Sequence, residues 1–557
     1  MSCSTAICEF MNLLQLIRRE SGVSLGKIAA MAGLSGGMNA LLLAIINMAS
    51  GDPADEAGSF RYMVMFACAI GIFVIAQYYL LSKSAALVES CLNNVRLRLL
   101  DKILGADLLP FEGMGRPKLY YVFANETLAI SQATTTIVIA GQAGLMVGCS
   151  IIYLAIISRP AFFLTLLFTG AGTLLHLQMS QRMQGDMAES VRKEHAFLDL
   201  LQQLLAGFKE VKLDGKRAVG LRDSLRATSE SLMDLKVKST NHFNKHYIFS
   251  QTSFYILIGA LVFLLPRFSE AYSEVLRQIT ATILFITGPL TGFIGAIPIV
   301  AAANVAVANI DRVERELGGA QEKLPLEVLP TTTKEFQQIR MRDVVFWYGE
   351  PGKAGFKLGP MNLTIEQGEV LFIVGGNGSG KSTFLKLLTY LYYPKEGSIL
   401  RDGIAIDETN YPEYRNLFSV IFSDYHLFDR LYGSPQYSLE KVNELLAEFQ
   451  LAEKTKLIGD HWQTTDLSTG QRKRLALITC CLDRKPIYVL DEWAADQDPP
   501  FRRYFYETIL PDLKRQGATV IAATHDDHYF YLADRILKLD FGQIVPYEND
   551  TNRGQRS

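Results

Sequence analysis

Gly375-Gly376-Asn377-Gly378-Ser379-Gly380-Lys381-Ser382 has the spacing G-x-x-x-x-G-K-[ST]. In such a loop the glycines let backbone N–H groups converge on phosphate oxygens, the lysine reaches the outer phosphates and the last hydroxyl holds Mg²⁺. The expected ligand is a nucleoside triphosphate with Mg²⁺. Farther on, the apolar run Ile487-Tyr488-Val489-Leu490 ends in Asp491-Glu492. A carboxylate closing a buried strand can hold Mg²⁺ through its water shell, and one beside it can polarise the attacking water. Between the two lies Leu467-Ser468-Thr469-Gly470-Gln471.

These groups need elements to aim them. Gly368 to Val374 reads as a buried strand entering the glycine loop, and Thr383 to Leu388 as the helix leaving it. A helix N-terminus pointed at phosphates adds its dipole to the lysine. Ile339 to Phe346 alternates like a strand and ends at Trp347-Tyr348, and Thr519 to Ala523 is a strand followed by Thr524-His525. An α/β catalytic domain is expected from about Lys334 to the C-terminus, 334–557, after a Gly/Pro-bearing linker over 318–333.

The rest of the chain is a different material. The hydrophobic fraction of 49% over 557 residues averages a soluble half with long uncharged runs in the first 310 or so. A bilayer-crossing helix needs roughly 20 mostly apolar residues. Six stretches qualify: about Ile28 to Ala49, Tyr62 to Leu81, Thr134 to Ile157, Ala161 to Met179, Tyr247 to Leu265 and Ile279 to Val307. Lysine and arginine crowd the flanks before the first, after the second, and between the fourth and fifth. Those sides are expected to be cytoplasmic, as are both termini. The two long inside segments, 83–133 and 180–246, show helical apolar spacing and are expected to continue the spans into the cytoplasm. The expected crosspieces lie at Phe111 to Leu119 and Gly207 to Asp214. Pro289 and Pro298 in the sixth span, beside Gly288, Gly292 and Gly295, suit either a kinked pathway helix or close packing of small residues. Gln77, Gln142, His176, Gln178 and Asn304 suit interhelical hydrogen bonds or a substrate cavity, and the absence of carboxylates argues against a proton relay.

Composition excludes other classes. A net charge of −2 without a basic stripe interleaved with aromatics gives no nucleic-acid role. Seven cysteines show no C-x-x-C spacing and no His/Cys cluster, so no metal site is expected, and adjacent Cys480 and Cys481 are expected to be buried packing in a reducing cytosol. Residues 1–20 lack a secretory signal, and Leu13, Leu14, Leu16 and Ile17 with Arg18 and Arg19 suggest a short amphipathic helix on the inner membrane face.

The glycine loop, LSTGQ and the Asp-Glu strand together resemble the ABC ATPases. The six spans resemble the exporter-type ABC membrane domain, a membrane all-α fold over 1–317 fused to the P-loop ATPase. The resemblance implies ATP hydrolysis with Glu492 as base and His525 as the switch histidine near the γ-phosphate. It implies Tyr348 against adenine, with Trp347 as the fallback, and Gly375, Asn377, Gly378, Ser379, Gly380, Lys381, Ser382 and Thr383 around the phosphates. Ser382 and Asp491 would serve Mg²⁺. Ser468, Gly470 and Gln471 would cap the ATP held by an opposite subunit, with Asp498 as the aspartate of the adjoining loop. Thr469 departs from the usual LSGGQ. One P-loop and one signature per chain leave each site incomplete, so a homodimer is expected. The segment Gly207 to Lys212 would lie close to a contact with the ATPase, the alternative being a solvated polar turn.

A second departure lies in Ile421-Phe422-Ser423-Asp424-Tyr425-His426-Leu427-Phe428, where Ser423 stands at the place of a glutamine that touches Mg²⁺. Water or Asp424 would substitute, or coupling differs. The phrase from Phe422 to Asp429, with Gly207 to Leu213, resembles the bacterial exporters of cyclic and modified peptides, the syringomycin, pyoverdine-precursor and microcin-efflux group. The implied activity is ATP-driven efflux of a peptide-derived secondary metabolite, such as a cyclic, lasso or nonribosomal peptide or a siderophore precursor, across the bacterial inner membrane. The competing readings are a lipid or lipopeptide flippase, an ATP-gated channel or sensor, and an importer. The expected partners are a second copy, membrane lipid and a peptide-like or amphiphilic substrate.

Overall fold

The computed structural model describes residues 25–49, 56–264, 272–318, 336–349, 355–433 and 437–547. It divides into two compact units, Met1–Ile103 with Gly113–Gly319, and Leu104–Glu112 with Ala320–Ser557. The expected amphipathic stretch near residue 13 lies outside the described residues, as does all but the first residue of the 318–333 linker.

The first unit is built of long helices, Leu25–Ala49, Glu56–Leu104, Thr127–Ile157, Arg159–Ala206, Gly215–Gly259 and Tyr272–Gly318. The second of these has 49 residues. At 1.5 Å per residue that is roughly 70 Å, over twice the ~30 Å hydrocarbon layer, so such a helix must run well beyond it. Among the described residues, five helices are long and apolar enough to cross a membrane. The remaining expected span, Ala161 to Met179, lies in Arg159–Ala206, and its side chains from 172 onward are outside the described set.

Polar groups stitch these helices together. Gln142 Nε2 donates to Ser35 Oγ at 2.8 Å and to Gln77 Oε1 at 2.7 Å, while Ser35 Oγ donates to Gln77 Oε1 at 2.7 Å, which joins three helices through one closed network. Near the other end, Glu314 accepts from Arg98 Nε at 2.8 Å and from Lys102 Nζ at 3.4 Å, and Asn309 donates to the buried Glu126 at 2.6 Å. The helix Tyr272–Gly318 continues through Pro289 and Pro298. A Cβ added at Gly288, Gly292 or Gly295 would meet nothing within 4 Å among the described residues of this chain.

In the second unit, a six-stranded sheet runs in the order Gln543–Val545, Arg535–Asp540, Val370–Val374, Thr519–Ala523, Ile487–Asp491, Phe418–Ile421, parallel except for the first pair. Parallel strands covered on both faces read as continuous apolar runs, and every residue of the three central strands is buried. Their side chains alternate. Leu371, Ile373, Val489 and Ile521 pack toward a four-stranded antiparallel sheet that contains Gln338–Trp347, while Val370, Phe372, Leu490 and Val520 pack toward the helices.

Candidate functional site

Parallel pairing sets the first condition of the site, because it brings strand ends to one edge. Ala523 pairs with both Ile373 and Asp491. The glycine loop, the Asp491-Glu492 pair and Thr524-His525 therefore leave the sheet side by side, at the carboxyl edge where open α/β sheets place ligands. The loop closes onto the helix Lys381–Leu388 through Gly380, whose φ is 103° and whose added Cβ would lie 2.6 Å from the Phe356 ring. That conformation and that space admit only glycine.

Lys381, 6% exposed, sits at the centre. Its Nζ donates to the carbonyls of Gly375 at 3.0 Å and Gly376 at 3.3 Å and to His525 Nε2 at 3.1 Å, and lies 3.5 Å from Glu492 Oε1. Glu492 Oε1 is 3.4 Å from His525 Nε2. Glu492 itself follows the strand in left-handed backbone, φ 51° and ψ 35°. A non-glycine residue held there is strained, as residues at functional sites often are.

Ser382 Oγ donates to Asp491 Oδ2 at 2.8 Å. The other oxygen, Asp491 Oδ1, is buried without a hydrogen-bond partner among the described residues, in a residue 1% exposed. An orphaned carboxylate oxygen beside a hydroxyl is a hard-oxygen pair suited to Mg²⁺ that takes its other ligands from water and phosphate. Ser379 Oγ is likewise buried and, among the described residues, unpartnered.

A cleft of about 380 Å³ joins these groups to the adenine candidate: Tyr348, Asn377, Gly378, Ser379, Gly380, Lys381, Ser382, Thr383 and Glu492 line it, together with Phe356. Tyr348 OH lies 3.1 Å from Thr383 Oγ1, and its ring meets Phe346 edge-on at 5.1 Å. Trp347 does not line the cleft. Ser423 does not either; it is exposed in the loop after Phe418–Ile421.

The signature residues form a different group. Ser468 caps the helix Thr469–Asp483 in a reciprocal box, its Oγ accepting from Gln471 N at 3.4 Å and its N–H donating to Gln471 Oε1 at 3.1 Å. Thr469 is exposed in the first turn, which explains why a threonine is accepted there. Gly470 is not replaceable in the same way, since its added Cβ would lie 2.7 Å from the Asp496 carbonyl oxygen. Asp498 caps Pro499–Tyr504 by accepting from Phe501 N at 3.0 Å and pairs with Arg474. The Phe501 N–H, then Arg474, hold its carboxyl below the usual range.

The ABC transporter family model matches residues 358–495. The chain is 36% identical to the ATP-binding protein SyrD of Pseudomonas syringae pv. syringae over 489 residues, 84% of each protein. It is an ABC exporter half-transporter. A bacterial Atm1-family ABC exporter solved with ATP bound has the same fold, with a TM-score of 0.77, 17% identity and 95% coverage of both chains. An ATP-dependent lipid A-core flippase of Haemophilus ducreyi is 34% identical over 37% of each chain. The exporter is accordingly an ATP-hydrolysing, multi-pass membrane protein.

Two parts of the exporter's ATPase unit went unread in the motifs. Residues Leu104–Glu112 belong to that unit although they follow a membrane-unit helix in sequence. Leu108 and Leu109 pack on its core, Asp107 accepts from Tyr393 OH at 2.8 Å, and Glu112 accepts from Lys386 Nζ at 2.7 Å and from Tyr392 OH. The expected crosspiece near Phe111 took in only the end of this segment. Buried Lys473 and Arg474, behind the signature, carried no motif signal beyond their charge in an otherwise apolar helix face. The helix Phe208–Leu213, which covers most of the second expected crosspiece, has no buried residue.

Proposed function

We propose that the exporter moves a peptide-derived secondary metabolite from the cytosol across the bacterial inner membrane by alternating access, as a homodimer with both termini cytoplasmic. Residues 1–317, apart from the Leu104–Glu112 segment that packs with the ATPase unit, form its membrane domain and 334–557 its nucleotide-binding domain. ATP and Mg²⁺ occupy the cleft, with Tyr348 at adenine, Ser382 and Asp491 toward Mg²⁺, Glu492 as base and His525 beside the γ-phosphate. Ser468 and Gly470 complete the partner's site.

The observation that carries the cargo reading is the extent of the likeness to SyrD. A match over 489 residues is far longer than the catalytic domain and must include much of the membrane half, where cargo is chosen. The peptide-exporter phrases at 207–213 and 422–429 point the same way. The flippase likeness, at 37% of each chain, gives a second reading in which the cargo is a lipid or lipopeptide.

Inverted membrane vesicles test both. ATP-dependent accumulation of a labelled cyclic peptide, lost in Glu492→Gln, is expected. Lipid translocation without peptide accumulation would transfer the assignment to the flippase reading.

A further inference from the structure

An ammonium is among the costliest groups to bury and is rarely found inside unless paired. Lys473, on the signature helix, is 3% exposed. Its Nζ donates to the backbone carbonyl of Glu492 at 2.8 Å and pairs with Asp496 Oδ2 at 2.7 Å. Trp493 Nε1 donates back to the Lys473 carbonyl at 2.9 Å. The next residue repeats the pattern. Arg474 Nε donates to Gln497 Oε1 at 2.9 Å, its guanidinium pairs with Asp498 and lies 3.6 Å over the Phe501 ring. Gln497 Nε2 then donates to the Gly470 carbonyl at 3.2 Å. Residues 468–474 and 492–498 are thereby joined in a closed circuit of hydrogen bonds.

Glu492 needs such support. Its left-handed backbone is held by three polar contacts, its N–H donating to the Ala523 carbonyl at 3.0 Å and its carbonyl accepting from Lys473 at 2.8 Å and, at the longer distance of 3.4 Å, from the Ala495 N–H. We infer that Lys473 is a positioning residue for ATP hydrolysis, holding the Glu492 backbone so that its carboxylate stays against Lys381 and His525. The inference rests on the reading of Glu492 as the base. Because the same helix begins with Ser468 and Gly470, any shift of the signature is passed through Lys473 to the base of its own chain.

Steady-state ATPase of the full-length exporter in lipid nanodiscs tests this with Lys473→Met, Lys473→Gln, Asp496→Asn and a Glu492→Gln control. Lys473→Met should lower kcat about ten- to a hundredfold, the scale of an ångström-sized misplacement of a reacting group, with KM for ATP and Tm held. Lys473→Gln, still able to donate to the carbonyl, should recover part of that loss. A kcat for Lys473→Met within twofold of wild type would overturn the inference, as would kcat, KM and Tm falling together. If Lys473→Met does not fold, Asp496→Asn decides: removing the exposed partner should lower kcat with KM held, and a wild-type kcat overturns the inference. Glu492→Gln separates the two claims, since wild-type turnover in that variant removes the base itself, whereas a dead control beside an active Lys473→Met removes only the role of Lys473.

Discussion

The carboxylate of Glu492 has its direction fixed by backbone rather than by its own rotamers, since a left-handed residue at the end of a buried strand turns its side chain away from the sheet toward Lys381. On the proposed reading of Glu492 as base, Glu492→Gln keeps that shape and removes the proton acceptor, so turnover should fall by about 10²–10⁴, the usual share of a general base, while ATP affinity is unchanged. Single-turnover hydrolysis beside equilibrium ATP binding checks both halves. Tyr348 makes the opposite split. It lines the cleft beside Thr383 and makes no contact in the Lys381, His525 and Glu492 group, so on the proposed reading of its ring at adenine Tyr348→Ala should raise KM for ATP with kcat nearly constant, and Tyr348→Phe, which keeps the ring, should bind as wild type. Asp498 provides a pH test. Its carboxyl is held low in the folded protein, by the Phe501 N–H first and Arg474 after it, so its stabilising contribution is present above the ordinary aspartate value of about 4 and lost as pH falls through the lower folded value. The Tm difference between wild type and Asp498→Asn should be full at neutral pH and vanish in strong acid.

Elements differ in how much of themselves they print in the sequence. The strand entering the glycine loop, the Asp-Glu strand and the strand before His525 were legible because a parallel strand buried on both faces has to be apolar throughout and because phosphate chemistry demands a fixed spacing after it. The long helices were legible for the same reason, one solvent on all sides. What stayed hidden was contact made between distant residues. Nothing in Leu104–Glu112 announces that Glu112 meets Lys386 and Tyr392, since a leucine pair and two carboxylates also suit a solvated turn. Lys473 is hidden more thoroughly, because a lysine on a helix is ordinarily exposed. The polar triad in the membrane unit was half visible: Gln77 and Gln142 stood out against apolar surroundings, but Ser35, which closes the network, did not. Replacing Gln142 by leucine would leave Ser35 and Gln77 bonded only to each other, and should cost about 1 kcal/mol, the scale of interhelical hydrogen bonds in membranes. Thermal unfolding of the variant in nanodiscs measures this, and an unchanged midpoint would show the triad to be replaceable by packing.

At the scale of the whole molecule, the separation between the cleft and the signature residues becomes decisive. Within one chain Ser468 and Gly470 do not line the cleft that Lys381 and Glu492 share, so if both sets act on one ATP, two chains must supply them. The simplest closed arrangement is a two-fold dimer, in which the surface given by one copy is received by the other. Two variants then fail for complementary reasons: Lys381→Ala spoils a copy's own phosphate loop, and Ser468→Arg spoils what it offers its partner. Each homodimer should be inactive. In a dimer of one copy of each, one site combines both lesions and the other combines an intact loop with an intact signature. Random mixing should therefore restore up to about a quarter of the intact sites, half the dimers with one good site of two. Vanadate trapping of labelled ADP in the co-expressed mixture counts those sites without requiring transport. Trapping that appears only on mixing supports shared sites, whereas trapping in the Ser468→Arg homodimer, or none in the mixture, would overturn them.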